Sequence, residues 1–181
     1  MKNTGRTFFC LLVALVLVLG SVAWGARKGW QAEAQELQNM YEQEGGLKSL
    51  LELRAADASN LLAVAKRHMD KQDDRLLTVA SARDILHREN ASLPDKYAAN
   101  QGLTDAVGNL TNALQDSSSL QADTKDWNYV ISLTKALEVY ADGDAVNSYN
   151  NAAREYNKNL QQSFSGWFAM LMGTDRAELF N

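Results

Sequence analysis

Apolar residues follow two patterns along this chain. From Thr7 to Ala26 (TFFCLLVALVLVLGSVAWGA) no charge interrupts them. A helix needs about 20 such residues to cross a ~30 Å hydrocarbon core. From Trp30 onward they recur at three-and-four spacing, the mark of helices with one buried face. Leu47, Leu50, Leu51, Ala58, Leu61, Leu62, Ala65 and Met69 form one such stripe in a helical stretch from Trp30 to about Asp70. Gly45-Gly46 is its weak point, a hinge, a kink or a break, because paired glycines cost a helix about 2 kcal/mol relative to alanine.

A second helix is predicted over Asp73–Glu89, burying Leu76, Leu77, Ala80, Ile85 and Leu86. Asn90–Asp95 reads as a turn, in which Pro94 pushes Leu93 out of the helical region and Asp95 caps the third helix. Lys96–Gln115 carries Leu103, Ala106, Val107, Leu110 and Leu114, and Asp116–Ser119 is a short loop. Thr124–Tyr140 presents Trp127, Val130, Ile131, Thr134 and Leu137. Asp142-Gly-Asp144 is a turn, and Ala145–Ser163 lines up Val146, Tyr149, Ala153, Tyr156, Leu160 and Phe164. No alternating run long enough for a strand appears. The fold class is all-α: an antiparallel long-helix bundle of about four to five helices after an N-terminal transmembrane helix.

The first stretch has two readings. Lys2, Arg6, the apolar core and Ala23-Trp-Gly25 would suit a secretory signal with its cleavage site. Against cleavage, the apolar run continues to Ala26, and Arg27 and Lys28 come at once, as at the end of a retained span. Trp24 and Trp30 bracket that edge, where amphipathic rings favour the interface. Retention is the reading adopted. Two basic residues on each side leave the orientation open. The layout is thus a basic start at 1–6, an anchor at 7–26, a bundle domain at 30–164 and an apolar tail at 165–181. Gly166–Met172 in that tail is too short to span. It is expected to pack on the end of the bundle, with a membrane surface as the alternative.

Charge narrows the function. Of 18 basic and 22 acidic residues, Lys2 and Arg6 alone fall in residues 1–25, so the rest keeps 16 and 22, a net charge of −6. That balance speaks against nucleic acid, which needs clustered Lys and Arg. Cys10 lies inside the apolar run, and its absence elsewhere leaves the domain neither disulfide nor thiolate metal site.

Tyr149-Asn150 recurs seven residues later as Tyr156-Asn157. Seven residues are two helical turns, so both units share a face. The asparagines are either buried amides that fix register against facing helices, or solvated residues at the stripe's edge. Arg154 lies between the units, within reach of an acidic residue on a neighbouring helix.

Three places resemble the LemA family of bacterial membrane-anchored helical proteins. They are the single apolar span, Arg54-Ala-Ala-Asp-Ala-Ser-Asn60-Leu-Leu62, and Tyr149-Asn-Asn-Ala-Ala-Arg-Glu-Tyr-Asn157 with its ending Gly173-Thr-Asp-Arg-Ala-Glu-Leu-Phe180. Ala80-Ser-Ala-Arg83 resembles the family's second helix. Ser59 stands where the family usually has proline, and Trp30–Glu44 matches poorly. The resemblance implies a long-helix bundle with a membrane span and no established enzymatic activity. It also implies a structural polar network inside the bundle, made of Arg54, Asn60, Arg83, Asn150, Arg154 and Asn157.

Catalytic constellations are missing from the pattern. Neither His68 nor His87 comes three residues after a glutamate, so no Glu-x-x-His pair exists for a two-metal bundle, and both read as surface histidines. No phosphate loop, nucleophile elbow or His-Glu-x-x-His helix occurs. The expectation is no enzyme, no cofactor and no metal. The protein should contact the membrane through its N-terminal helix, engage an unidentified protein partner, and have the capacity to form a homo-oligomer. A helical ligand-sensing domain is the alternative, and a metal-dependent bundle enzyme ranks below it.

Overall fold

A computed structural model describes residues 3–140 and 143–181. Lys2, read as a basic flank, and Ala141-Asp142, at the start of the turn before the last long helix, lie outside the described residues. The chain is all-helical: α1 (Asn3–Glu42), α2 (Leu47–His68), α3 (Asp74–His87), α4 (Leu93–Gln115), α5 (Ser118–Gln121), α6 (Thr124–Val139), α7 (Asp144–Gln162) and α8 (Phe164–Leu171). It divides into two compact units, one of Met1–Asn39 with Ala152–Ala177, the other of Met40–Asn151 with Glu178–Asn181.

The paired glycines make a true break. Gly45 takes φ +76°, and a Cβ on Gly46 would stand 2.6 Å from the Met40 carbonyl oxygen. Only glycine tolerates the first conformation at no steric cost, and only a missing Cβ permits the second approach.

In the unit of Met40–Asn151 and Glu178–Asn181, α2 packs on α3 and α6, and α4 packs on the same two helices. The result is a closed ring of four helices with short connections. Leu51, Ala58, Leu61, Leu62 and Ala65 of α2 and Leu103, Leu110 and Leu114 of α4 are all buried, as are Leu76, Val79, Leu86, Val130 and Leu137. The inward seams differ in places from the sequence pattern. Leu77 and Ile131 are exposed, while Val79 and Leu133 turn inward. Leu76, Leu86, Val130 and Leu137 keep their expected inward places, so each seam narrows to the residues at helical spacing from them, and the apolar neighbours Leu77 and Ile131 fall outside it. The cap of α4 is Ser92, not Asp95: its hydroxyl accepts from the Asp95 N–H at 3.2 Å, and Pro94 sits in the first turn. Part of the expected loop Asp116–Ser119 winds into α5.

In the unit of Met1–Asn39 and Ala152–Ala177, Trp30 of α1 meets Tyr156 of α7 edge to face, with ring centroids 5.7 Å apart. Ala23, Trp30 and Leu37 are buried at seven-residue intervals, whereas Phe9–Val22 are exposed throughout. α1 is long and apolar enough to cross a membrane, and none of its most apolar window is covered by the chain. A Cβ on Gly166 would lie 2.0 Å from the Leu160 carbonyl oxygen, so only glycine allows the sharp entry into α8. α8 buries Gly166 and Ala169 but leaves Phe164, Trp167, Leu171 and Met172 exposed. Phe164, expected on the buried face of the preceding helix, instead begins α8 after the Ser163 cap.

Candidate functional site

The Tyr-Asn repeat on α7 grips the carboxyl-terminal segment of the chain. Asn150 donates its side-chain N–H to the Phe180 carbonyl at 2.8 Å and accepts the Phe180 N–H at 2.8 Å. Asn157 treats Ala177 in the same way, at 2.9 and 2.8 Å. An amide used thus imitates the edge of a neighbouring strand, and it engages backbone without regard to side chain. The tyrosines join in: Tyr149 donates its hydroxyl to the Glu178 carbonyl at 3.0 Å, and Tyr156 to that of Asp175 at 3.4 Å. Seven helical residues rise about 10.5 Å. Three extended residues cover about 10 Å, so one repeat on the helix matches one three-residue step of the tail.

Side-chain selectivity enters at Phe180, which is 1% exposed. Its ring meets Tyr97 edge to face at 5.4 Å. The Glu178 carboxylate accepts the Leu93 N–H at 2.8 Å, at the start of α4, where an anion suits the positive helix end. Tyr149 is pushed up to about 12 by its burial, then by the Glu178 charge and by Tyr41. Burial, ahead of Glu33 and Asp175, raises Tyr156 as well. Both phenols therefore remain hydrogen-bond donors across the ordinary pH range.

Arg54 occupies the middle of the four-helix ring, with no exposed surface. Its guanidinium crosses from α2 to α4, donating to the Asn100 carbonyl at 3.2 Å, to the Asn100 side-chain oxygen, and to the Thr104 hydroxyl at 3.0 Å. Asn100 and Thr104 lie one helical turn apart and so present acceptors to one planar fork. Nearby, Lys96 is buried with its ammonium 3.4 Å from the Tyr41 hydroxyl, and burial, then the charge of Lys48, lowers its pKa.

The six residues expected in one network differ in burial and in their hydrogen-bond partners. Arg54 joins Asn100 and Thr104, whereas Asn150 and Asn157 hold the tail. Asn60 is exposed, on the opposite side of α2 from the core. Arg83 is partly exposed and pairs with its chain neighbour Asp84. Arg154 is exposed on α7. Asn60 and Arg83 are turned out because the large apolar residues of α2 and α3 claim the inward positions. Asn100 and Thr104 give no signal in the sequence, since a helical stripe records apolar positions and passes over the polar ones set among them.

His68 is another departure. Its side chain is only 7% exposed, while His87 lies on the surface as expected. His68 Nε2 is 2.8 Å from Asp126 Oδ2 and Nδ1 is 2.9 Å from the Ser119 hydroxyl. Arg67 clamps the same carboxylate, donating from Nε to Oδ2 at 2.9 Å and from Nη2 to Oδ1 at 2.7 Å. The His68 and Arg67 hydrogen bonds hold the Asp126 carboxyl below its usual range. With Asp123, these groups offer three metal-type donor atoms within 4.8 Å of one another. Several of these donor atoms already serve the fold: Asp126 accepts from Arg67 and His68, and Asp123 Oδ1 accepts the Lys125 and Asp126 N–H groups as the cap of α6. The donor set suits a tie between α2 and α6 better than a cation.

An open groove of about 1070 Å³ runs between α3 and α4, lined by Asp74, Leu77, Arg88, Asp95 and Ala98 among others.

The family model described as "LemA family" matches residues 43–181, from the break after α1 to the end of the clasped tail. No curated protein and no solved structure matches the chain.

Proposed function

The chain belongs to the LemA family, and on that premise we propose that it is a single-pass protein of a bacterial inner membrane whose helical domain acts through protein contacts, as an interaction or scaffolding module without catalysis. The observation that carries this reading is the run Phe9–Val22 of α1, exposed along its whole length and free of charge. In water so much contiguous apolar surface is a liability, and in a bilayer it is an anchor. The inward polar groups support the non-catalytic part. Arg54, Asn150, Asn157 and Asp126 each spend their hydrogen bonds on joining one segment of the fold to another.

Alkaline carbonate extraction of membranes, with the mass of the mature chain, tests the anchor. The full-length chain is expected to stay in the membrane pellet. Release by carbonate, or a mass that begins after Ala26, overturns it. Crosslinking in intact membranes is expected to return the same protein partner repeatedly. No partner, together with stoichiometric iron, manganese or zinc in protein purified without chelator, overturns the scaffold in favour of a metal-dependent bundle.

The groove between α3 and α4 favours ligand sensing as a second reading, because it sets Arg88 and two carboxylates around an apolar floor. A small ligand that raises the melting temperature of the wild type, and not of Arg88→Ala, would support it.

A further inference from the structure

Phe164, Trp167, Leu171 and Met172 are exposed by 73%, 51%, 64% and 39%. The three rings of Phe164, Trp167 and Phe168 form one cluster, with centroids 4.9–6.4 Å apart. No charged residue lies between Lys158 and Asp175. A helix of eight residues rises about 12 Å, far less than a bilayer's thickness, so α8 does not span.

Its position within its own unit identifies what covers that face. Tyr156 of α7 meets Trp30 of α1. The rest of α7 carries the chain about 10 Å further before α8 begins. Among the residues of α1 whose burial is described, the outermost covered one is Ala23, seven residues and about 10 Å from Trp30. Beyond Tyr156 this unit holds the end of α7, α8 and residues 172–177, and since Asp175 has already returned to the Tyr156 hydroxyl, the end of α7 and α8 are what reach Ala23. α8 therefore stands at the level where the apolar run of α1 gives way to Arg27 and Lys28. Trp24 is exposed at that level, with the Lys28 ammonium 5.7 Å from its ring centroid, an arrangement suited to the boundary between acyl chains and headgroups.

We propose that α8 is an interfacial helix, and that Phe164, Trp167, Leu171 and Met172 insert into the headgroup–acyl boundary of the leaflet from which α1 emerges. The occupant of this apolar face is lipid. Two contacts, a spanning helix and a short aromatic helix beside it, would fix the tilt of this unit on the membrane where a single span leaves it free to rotate. The inference rests on α1 crossing the bilayer, and the experiment separates the two.

The full chain with Cys10→Ser is given single cysteines by Leu171→Cys, Phe164→Cys, Leu15→Cys or Tyr129→Cys. Each is labelled with an environment-sensitive fluorophore and reconstituted in vesicles of phosphatidylcholine with a minority of phosphatidylglycerol. Labels at 171 and 164 are expected to emit at shorter wavelength and to lose at least half their intensity to a quencher carried by lipid near the headgroup. The label at 15 is quenched by a deeper lipid quencher, and that at 129 by neither. A label at 171 quenched only from water, with 15 in lipid, overturns the interfacial helix and leaves the anchor standing. A blue-shifted label at 171 that no lipid quencher reaches overturns it too, since α8 is then covered by protein. A label at 15 in water with 171 in lipid overturns the anchor and retains the lipid-facing helix.

Discussion

Asn150 and Phe180 exchange two hydrogen bonds, the amide of one reading both backbone groups of the other at 2.8 Å. Asparagine alone supplies a donor and an acceptor side by side in so small a volume. Asn150→Asp keeps the shape but sets a carboxylate oxygen against the Phe180 carbonyl. The expected cost is about 3 kcal/mol, the range for a buried polar group left opposed. Asn157→Asp, half-buried, should cost about half as much. Hydrogen exchange at the Phe180 amide checks the first and exchange at the Ala177 amide the second. Unchanged protection in Asn150→Asp would mean that the clasp is not what orders the tail.

Phe180 completes that clasp as a plug. Phe180→Ala removes a ring packed against Tyr97 and should destabilise the domain by about 3 kcal/mol. Phe180→Leu, which retains apolar volume, should cost less than half of that. Chemical denaturation gives both values, and equal losses would show that the site requires the aromatic ring against Tyr97 and that apolar volume alone does not replace it.

Arg54 with Asn100 and Thr104 joins α2 to α4 through a planar fork. Arg54→Lys preserves the charge but replaces the fork with a compact ammonium on a shorter reach. We expect a loss of about 2 kcal/mol or more, because Thr104 and the Asn100 side chain cannot both be met. Arg54→Met, which removes the buried charge as well, should cost no more than Arg54→Lys if desolvation dominates. A lysine variant as stable as the wild type would show that charge, and not geometry, is what the position requires.

The helices were legible because buried leucines recur with the helical period, and at Leu103, Leu110 and Leu114 the expected core is the observed one. Seams blurred where apolar residues flank both sides, as at Leu76-Leu77 and Val130-Ile131. The Tyr-Asn repeat announced a shared face of α7, but its partner was invisible. An asparagine's spacing says which way it points and nothing of what lies opposite, and the tail has no periodicity of its own to register against the helix. The pairing of His68 with Asp126 spans 58 residues of sequence, and no local pattern encodes it.

Tyr149 gives the fold an alkaline limit. Its pKa rises from 10.0 to about 12, with burial as the first cause. A raised folded value favours the neutral phenol, so its stabilisation is complete below pH 10 and is lost as pH climbs through about 12. Two pKa units correspond to about 2–3 kcal/mol. Tyr149→Phe should be less stable at neutral pH through loss of the bond to Glu178, yet flatter between pH 10 and 12. Urea midpoints across that interval check it, and parallel curves for the two proteins would place the alkaline transition elsewhere.

Asp126 sets the acid limit by the opposite sign. Hydrogen bonds from His68 and then from Arg67 hold its carboxyl below the ordinary 3.8. A depressed folded value means that the carboxylate's contribution is present above pH 3.8 and disappears as pH falls through the lower folded value. Protonation also removes an acceptor from Arg67 and His68 together, so α2 and α6 lose their tie in one step. Asp126→Asn should therefore be weaker than wild type at about pH 6 and equal to it at the acid end, because only the wild type has an acid-sensitive tie to lose. His68→Ala should cost more than Arg67→Ala at the same near-neutral pH, since the histidine side chain is nearly covered and that of Arg67 is 55% exposed. Thermal melts of the four proteins from near neutrality downward give the comparison. A wild type and an Asp126→Asn that fall in parallel would mean that another carboxylate governs acid unfolding.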